Sequence, residues 1–505
     1  MHAFLNHSNP QANNIMKPSY LSTVAVLALL AGGCASLPSV GPNYHQPNAT
    51  VPTGWSMLAG GETNSAPVVA VWWENFHDAE LDSLITRAAS ANLDLRIDQA
   101  RVREARAEYR IAAADQWPTV DAAGSYARQQ QSQNQPVLGS FPVPGSAFQN
   151  NVYQAGFDAT WEIDVFGGTR RATEAARAQV AAAQCGEREV LVTLLGEVAR
   201  NYVETRGYQR RLEIARDNIR AQVDSLAITQ NRFTNGLTSD LDVEQASTLL
   251  ATTRAEVPAL ETALAASIHR LGVLLGQTPE SLETELAAVA PIPAAPPVVP
   301  VGLPAELLWR RPDVAQAERQ LAAATANIGV AKADLFPKFY LTGAAGLESI
   351  SADDWFKSGS QFWSVGPAVQ WRIFDAGRIR ANIRVRNARQ EQALANYENT
   401  ALGAFEEVEN ALTAYAKEQI RRQQLAAAVT SSAESLRLAK QLYTSGLANF
   451  INVLDAERSL YQAQDALVQS DRTVTTDVIA LYKSLGGGWE TVTQPETLAA
   501  VQTTK

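Results

Sequence analysis

The chain has 505 residues, of which 46% are hydrophobic and 19% charged, and its net charge is −10. This acidic balance argues against nucleic acid as a partner, because binding to phosphates needs clustered Lys and Arg. The sequence contains no metal-ligand spacing, phosphate-binding loop or nucleophile motif, so we expect no enzymatic activity and no metal or cofactor.

The chain begins with a segment typical of export signals. Met16-Lys17 precedes a short apolar run that ends at Leu30, and small residues then lead to Cys34. We therefore predict a signal peptide over residues 1–33, with Met16 as an alternative start. The apolar run is too short to span a bilayer as a helix.

Cys34 itself suggests a lipid anchor. Small residues ending in a Cys resemble the bacterial lipoprotein cleavage box, which would make Cys34 the first mature residue, carrying N-acyl and diacylglycerol chains. An ordinary signal peptide followed by a chance Cys is the alternative. The other cysteine, Cys185, has no partner for a disulfide and falls in a helical pattern.

Residues 34–76 are rich in Pro, Gly, Asn and Thr, which predicts an extended tether. Helical pattern follows up to Trp117-Pro118. Two strands are then predicted, at about 119–130 and 152–164.

The second of these strands has the clearer pattern. From Tyr153 to Ile163, apolar and aromatic residues alternate with acidic and polar ones. Period-two alternation places one set on each face. That pattern suits a transmembrane barrel strand, with lipid outside and water inside. A half-buried strand of a soluble sheet is the alternative.

A long helical hairpin follows the strands. The pattern from Gly167 to Phe233 predicts a helix roughly 100 Å long, at ~1.5 Å per residue. Gly236 fits the tight reversal at its end. The return helix has an apolar residue every seven positions, which predicts a coiled coil. Pro258 lies within it and is expected to kink or interrupt it.

The same layout returns 210 residues later, with its reversal near Gly446. The alignment from Trp161 to Gly276 needs no gap, so one strand-and-hairpin unit is expected twice in tandem. The predicted division is a first repeat at 77–276, a Pro-rich linker at 277–304, a second repeat at 305–488 and a flexible tail at 489–505. The strands of the second repeat are predicted at about 338–348 and 362–374.

The number of strands constrains the assembly. Four strands cannot close a membrane barrel, and an open sheet would leave unsatisfied edges in lipid. If the strands lie in a membrane, several chains must therefore share one barrel. Two chains would supply eight strands and three would supply twelve; composition does not choose between them.

Three further runs point to a known family. They are LPAELLWRRPDV at 303–314, IGVAKADLFP at 328–337 and LGGGW at 485–489. They resemble the TolC-type outer-membrane efflux channels, in the lipoprotein branch that serves resistance-nodulation-division (RND) pumps. The resemblance implies a mixed α/β membrane protein, a homotrimer with a 12-stranded β-barrel in outer-membrane lipid on a 12-helix coiled-coil barrel in the periplasm.

The resemblance also implies a function and partners. The channel would be a passive exit duct for drugs or other small toxic compounds. It would work with a periplasmic adaptor protein and an inner-membrane RND transporter that supplies the energy. A duct for type I protein secretion is the alternative within the same fold.

The helical turns, by the same resemblance, form a periplasmic gate. Tyr443 of the second hairpin matches a residue that hydrogen-bonds an Asp of the first hairpin, here Asp242. Asp455 and Asn452 match ring-forming acidic positions, with Asn452 a departure from Asp, and Ile451 matches an apolar ring. The second copy has Tyr443 and Asp455 where the first has Phe233 and Gln245, which suggests that the hairpins are not equivalent and that the second carries the moving gate.

Overall fold

The computed structural model describes residues 38–47, 51–56, 63–64, 70–130, 149–296 and 298–491. The chain divides into two compact units. One consists of residues 1–44, 109–175 and 324–388, and the other of 45–108, 176–323 and 389–505. Among the described residues, no helix is both long enough and apolar enough to cross a membrane.

The elements alternate between strands and helices along the chain. The strands are β1 (Thr63–Asn64), β2 (Thr119–Gln130), β3 (Gln149–Ile163), β4 (Val299–Pro300), β5 (Lys338–Ser349) and β6 (Gln361–Gln370). The α-helices are α1 (Ala79–Ala91), α2 (Leu93–Ala114), α3 (Gly168–Thr234), α4 (Asp240–Leu274), α5 (Pro304–Arg310), α6 (Pro312–Ala333), α7 (Arg378–Thr444) and α8 (Phe450–Ser484).

The first unit contains a four-stranded antiparallel sheet in the order β2-β3-β5-β6. Its strands lie at the four predicted places, but the predicted strand 362–374 is too long. β6 ends at Gln370, which pairs with Lys338. Lys338 directly follows Pro337, which lacks the N–H needed to extend the ladder.

The first described segment, residues 38–43, is bonded within the first unit. The backbone N–H of Val40 donates to Phe166 O at 3.0 Å. The buried Arg171 donates to Val40 O at 3.2 Å and to Asn43 Oδ1 at 2.6 Å. Residues 38–43 therefore follow a fixed path, where the sequence predicted part of a tether.

The second unit contains most of the long helices, from residue 176 of α3 and residue 389 of α7 onward. α3 and α7 each have 67 residues, and α4 and α8 each have 35. The predicted heptad positions of the return helices are all buried or half-buried: Val243, Leu250, Val257, Leu264 and Leu271, and Val453, Leu460, Leu467, Val474 and Leu481. The predicted interruption at Pro258 is wrong, because α4 continues through it.

Both hairpin turns have the same geometry. Gly236 and Gly446 adopt φ values of 71° and 73°. After Gly236, Leu237 N donates to Arg232 O at 2.8 Å, and Gly236 N itself donates to Phe233 O at 2.9 Å. This pair of bonds is a Schellman motif, in which glycine supplies the left-handed residue at no steric cost.

Parts of the three segments predicted as an extended tether, a Pro-rich linker and a flexible tail are packed among the described residues. Trp55, in the predicted tether, is buried and donates its indole N–H to Gly302 O at 3.0 Å. The predicted linker supplies buried side chains, including Leu282, and forms the parallel β1–β4 pair. The predicted tail begins with Trp489, whose indole N–H bonds Arg310 O at 3.0 Å. Aromatic and aliphatic residues inside Pro-rich stretches explain the error, since their burial offsets the entropy cost of order.

Candidate channel wall and gate

The sheet of the first unit has two chemically distinct faces. The observed register sets Ala122, Phe157, Ala345 and Trp363 in one row across all four strands. The next row on the opposite face contains Asp121, Asp158, Ala344 and Ser364. The alternation predicted for one strand is thus aligned across the whole sheet.

The apolar face is exposed to an unusual degree. Phe157 is 62% exposed, Trp363 78% and Val365 68%. Soluble proteins rarely leave a contiguous aromatic and aliphatic face uncovered. Such a face is what a sheet in contact with lipid requires.

Aromatic residues lie at both ends of this face. At one end, the Tyr126 and Tyr153 rings lie 5.0 Å apart, and Trp355 is 5.9 Å from Tyr153. At the other end lie Trp161 and Trp371. From Tyr153 to Trp161 the face extends about 26 Å along the strand, comparable to the ~25 Å apolar band of membrane barrels.

The two indoles at the second end form equivalent bonds. Trp161 Nε1 donates to Gln116 O at 2.9 Å, and Trp371 Nε1 donates to Leu335 O at 3.1 Å. Each acceptor lies two residues before a proline that precedes a strand. The indoles therefore fix the ends of β3 and β6 to the turns that lead from α2 into β2 and from α6 into β5.

Three of the predicted gate residues, Ile451, Asn452 and Asp455, lie in the first turns of α8. Ile451, Asn452 and Asp455 are exposed on one face, while Val453 and Leu454 are buried on the other. Helical spacing explains the division, since residues three and four apart share a face. The structure thus leaves the predicted ring residues free of burial within the chain.

The predicted bond between Tyr443 and Asp242 is not formed in this structure. Asp242 Oδ2 accepts from Thr238 of its own turn instead. The Tyr443 ring is buried against Phe450, with 5.3 Å between ring centroids, and under the Arg232 guanidinium. Its hydroxyl is buried and has no hydrogen-bond partner among the described residues. Packing of the ring sets the direction of the Tyr443 side chain here, and the role of Tyr443 and Asp242 in a gate stays a prediction.

One charged neighbour of the gate was missed. Arg458 Nη2 lies 2.6 Å from Asp455 Oδ1, and both side chains are at least half exposed. The spacing of three residues on one helix could have revealed this pair. The predicted ring at Asp455 would therefore contain the positive charge of Arg458 beside the negative charge of the carboxylate.

A buried arginine ties together the core of the second unit. Arg311, within the run at 303–314, bonds both carboxylate oxygens of Asp313, Glu407 Oε2 at 2.6 Å and Ser484 O at 3.0 Å. Burial lowers the pKa of Arg311, but the bonds to Asp313 and Glu407 outweigh that effect and raise it above its ordinary value. Burial, with Asp313 adding to it, raises the pKa of the nearby Glu189 to about 7. Arg311 is thus a buried cation that joins the half-buried Asp313, the exposed Glu407 and the end of α8.

Two features of the structure indicate the class of protein: a sheet with an exposed apolar face, and a pair of long coiled-coil hairpins. Together they indicate an outer-membrane channel. The family model described as outer membrane efflux protein matches residues 84–277 and 303–487. The chain belongs to this family, whose members are channel proteins of the bacterial outer membrane.

Known proteins resemble the chain over nearly its whole length. It is 34% identical over 470 residues to the solvent efflux pump outer membrane protein SrpC of Pseudomonas putida, covering 91% of this chain and 97% of that one. It is 33% identical over 479 residues to the probable outer membrane lipoprotein SilC of Salmonella typhimurium, covering 93% and 98%. The solved structure of the outer-membrane channel OprN superposes with a TM-score of 0.85, at 36% identity, covering 89% and 99%.

Proposed function

We propose that this outer-membrane efflux channel works as a homotrimer, in which three copies of the sheet close a 12-stranded barrel above a 12-helix tunnel. The number three is taken from the family resemblance, and the observation that supports a barrel shared between copies is the sheet itself. β2 and β6 are its outermost strands, and neither has a second partner among the described residues. Unpaired strand edges are not tolerated in lipid, so β2 of one copy must pair with β6 of another.

The partners follow from the family resemblance and from the names of the relatives. We propose that the tunnel meets a periplasmic adaptor and an inner-membrane RND transporter, and that it passively conducts drugs or other small toxic compounds. SrpC is named as part of a solvent efflux pump, which supports small organic cargo. The alternative, type I protein secretion, would instead place an ATP-driven transporter among the proteins that co-purify with the chain.

The anchor is proposed to be a lipid on Cys34. Cys34 lies outside the described residues, but SilC, which matches 93% of the chain, is named a probable lipoprotein. The bonded segment at 38–43 begins only four residues later. A lipid on Cys34 would therefore attach the chain to the membrane only a few residues before a segment that is bonded to the first unit.

The exposed charges on α8 are proposed to set ion preference at the gate. In a trimer, three Asp455 and three Arg458 would surround one axis, and charged rings in pores select against ions of like sign. Asp455→Ala would leave the arginines and favour anions, while Arg458→Ala would leave the aspartates and favour cations. We expect each change to alter the permeability ratio roughly twofold or more.

The measurement is the reversal potential of the purified channel in a planar bilayer under a salt gradient. Arg437→Ala is the control, because Arg437 pairs with Glu434 on the exposed surface of α7. Opposite shifts for the Asp455 and Arg458 variants, with none for the control, support the gate. Unchanged potentials in both would remove the ring from the conduction path.

A further inference from the structure

A run of arginines lies where the sheet of the first unit passes into α7. The arginines of this basic run are Arg372, Arg378, Arg380, Arg384 and Arg386. All belong to the first unit; the first four are exposed and Arg386 is half-buried. Asp375 is the only carboxylate between residues 372 and 386 of the sequence. The basic run is therefore a local excess of positive charge in a chain whose net charge is −10.

Contacts within the chain do not account for the basic run. None of its guanidinium groups forms an ion pair or a hydrogen bond among the described residues. The Asp375 carboxylate instead accepts the backbone N–H groups of Gly377 at 2.9 Å and Ile379 at 2.7 Å. The first turn of α7 contains no acidic residue, and a helix dipole opposes positive charge at that end. The arginines therefore do not serve the stability of the helix.

The first repeat has no such run at the matching positions, 210 residues earlier. Four of the five arginines correspond there to residues without positive charge: Glu162, Gly168, Glu174 and Ala176. Arg380 corresponds to Arg170, whose guanidinium donates to the carboxylate and the carbonyl of Asp164. The same strand-to-helix junction is thus built in the first repeat without the run, so the fold does not require it.

Apolar side chains next to the basic run are exposed to an unusual degree. Trp371 is 56% exposed, Ile373 85% and Phe374 87%. The matching residues of the first repeat, 161–166, are all half-buried. Trp371 and Ile373 continue the period-two pattern of the apolar face beyond the last paired residue of β6. The exposed apolar surface of the sheet therefore passes directly into the exposed positive charge.

This order of side chains matches the layers at the surface of a bilayer. Apolar side chains meet the acyl chains, and Trp is enriched at the boundary with the headgroups. An arginine guanidinium binds phosphate with two parallel hydrogen bonds. Anionic headgroups also attract nearby arginines through their net charge, an attraction that grows with each basic residue. The chemistry that complements the basic run is therefore an anionic phosphate attached to an acyl chain.

Closure of the barrel would not by itself neutralise the run. Pairing of β6 with β2 of another copy would bring up the segment that leads into β2. Residues 103–115 of that segment contain three arginines and three carboxylates, so their charges balance. A second copy therefore supplies no net negative charge, and lipid is the better match.

We propose that residues 371–374 and the arginines at the start of α7 form a headgroup site for an anionic phospholipid of the inner leaflet. Ile373 and Phe374 would contact the acyl chains, while Arg378, Arg380 and Arg384 bind the phosphate. This inference rests on the proposed function, in that the sheet is taken to lie in lipid. Because the run occurs in the second repeat alone, each chain would hold one such site.

Lipid binding to the full-length channel in detergent tests the headgroup site. Native mass spectrometry gives apparent dissociation constants for phosphatidylglycerol and for phosphatidylcholine with the same acyl chains. We expect the parent to bind phosphatidylglycerol roughly tenfold or more tightly than phosphatidylcholine. The triple variant Arg378→Gln, Arg380→Gln, Arg384→Gln should lose most of that preference. Equal affinities of the parent for the two lipids would overturn the site without any variant.

A matched triple variant controls for the change in net charge. Arg210→Gln, Arg220→Gln and Arg437→Gln remove three exposed charges from the second unit, where each arginine pairs with a carboxylate three residues away on its own helix. This control should keep the preference of the parent. An equal loss in the control would show that the attraction is not local and would overturn the headgroup site.

A lysine variant separates charge from folding and from contact between copies. Arg378→Lys, Arg380→Lys and Arg384→Lys keep the positive charges, so this variant should retain most of the preference for phosphatidylglycerol. Light scattering should show the same oligomer in the parent, the glutamine variant and the lysine variant. Loss of the oligomer in the glutamine variant alone would assign the arginines to a contact with a second copy and overturn the lipid site.

Insertion of the parent into pure phosphatidylcholine vesicles distinguishes this inference from the proposed function. A parent that inserts and conducts but binds both lipids equally loses the headgroup site and keeps the channel. A parent that neither inserts nor conducts contradicts the channel, and the headgroup site falls with it. Insertion and conduction together with the expected lipid preference support both.

Discussion

Arg311→Ala should lower the free energy of unfolding by about 1.5–3 kcal/mol, because it removes the buried cation that bonds the half-buried Asp313 and the exposed Glu407. Arg311 also satisfies the carbonyl of Ser484 at the end of α8, so the helix end would lose its partner. The pKa of Glu189, which burial already raises, would rise further because the nearby positive charge of Arg311 would be lost. We expect little assembled channel in the outer membrane.

The adjacent arginine provides the control. Arg310 forms an ion pair with Glu490 at 2.8 Å, and its backbone carbonyl, which Trp489 uses, is unaffected by a side-chain change. Arg310→Ala should therefore cost about 1 kcal/mol or less. The measurement is the urea-unfolding midpoint of the purified channel in detergent. Similar losses in the two variants would show that Arg311 is not the central contact of this core.

The second large effect concerns the two faces of β5. Ala345 lies on the apolar face between Phe157 and Trp363, at mid-height between the aromatic ends, while Ala344 lies on the polar face beside Asp158. Ala345→Arg would place a charge in lipid and should destabilise the barrel by about 2–4 kcal/mol. Ala344→Arg is the same substitution one position away, on the polar face. It should have little effect, since that face is expected to meet water.

This pair is measured by folding into lipid vesicles. The folded fraction of the Ala345 variant should fall at urea concentrations that leave the Ala344 variant intact. Equal sensitivity would mean that the two faces meet the same environment, as in a soluble sheet. That result would reject the membrane interpretation of the sheet and, with it, the barrel.

Period-two alternation and heptads made the general architecture predictable from the sequence. The alternation from Tyr153 to Ile163 identified the face that the register later aligns across four strands. The 210-residue recurrence predicted two hairpins, and the structure gives them helices of equal length. These features are local or periodic, so a single sequence shows them directly.

The long-range polar contacts could not be predicted in this way. Ser225 and Glu457 are 232 residues apart, and no spacing rule joins them. Tyr443 was assigned by resemblance to a bond with Asp242 that is not formed in this structure, where its ring packs against Phe450 and Arg232. Trp55 was assigned to an extended tether and Trp489 to a flexible tail because the assignment followed the overall composition of each segment. It did not consider that single aromatic residues within these segments could be buried.

Closure of the barrel by three copies is tested most directly by cross-linking the two sheet edges. One cysteine is placed on β2, at Ala123, Ser125 or Ala127, and one on β6, at Ser364, Gly366 or Ala368, in a Cys185→Ala background. For the pairs in register, oxidation in the membrane should give a ladder of two and three linked chains and nothing larger, while single-cysteine variants give none. A ladder that stops at two chains or continues beyond three, or an absence of linkage in every combination, would contradict the trimeric barrel.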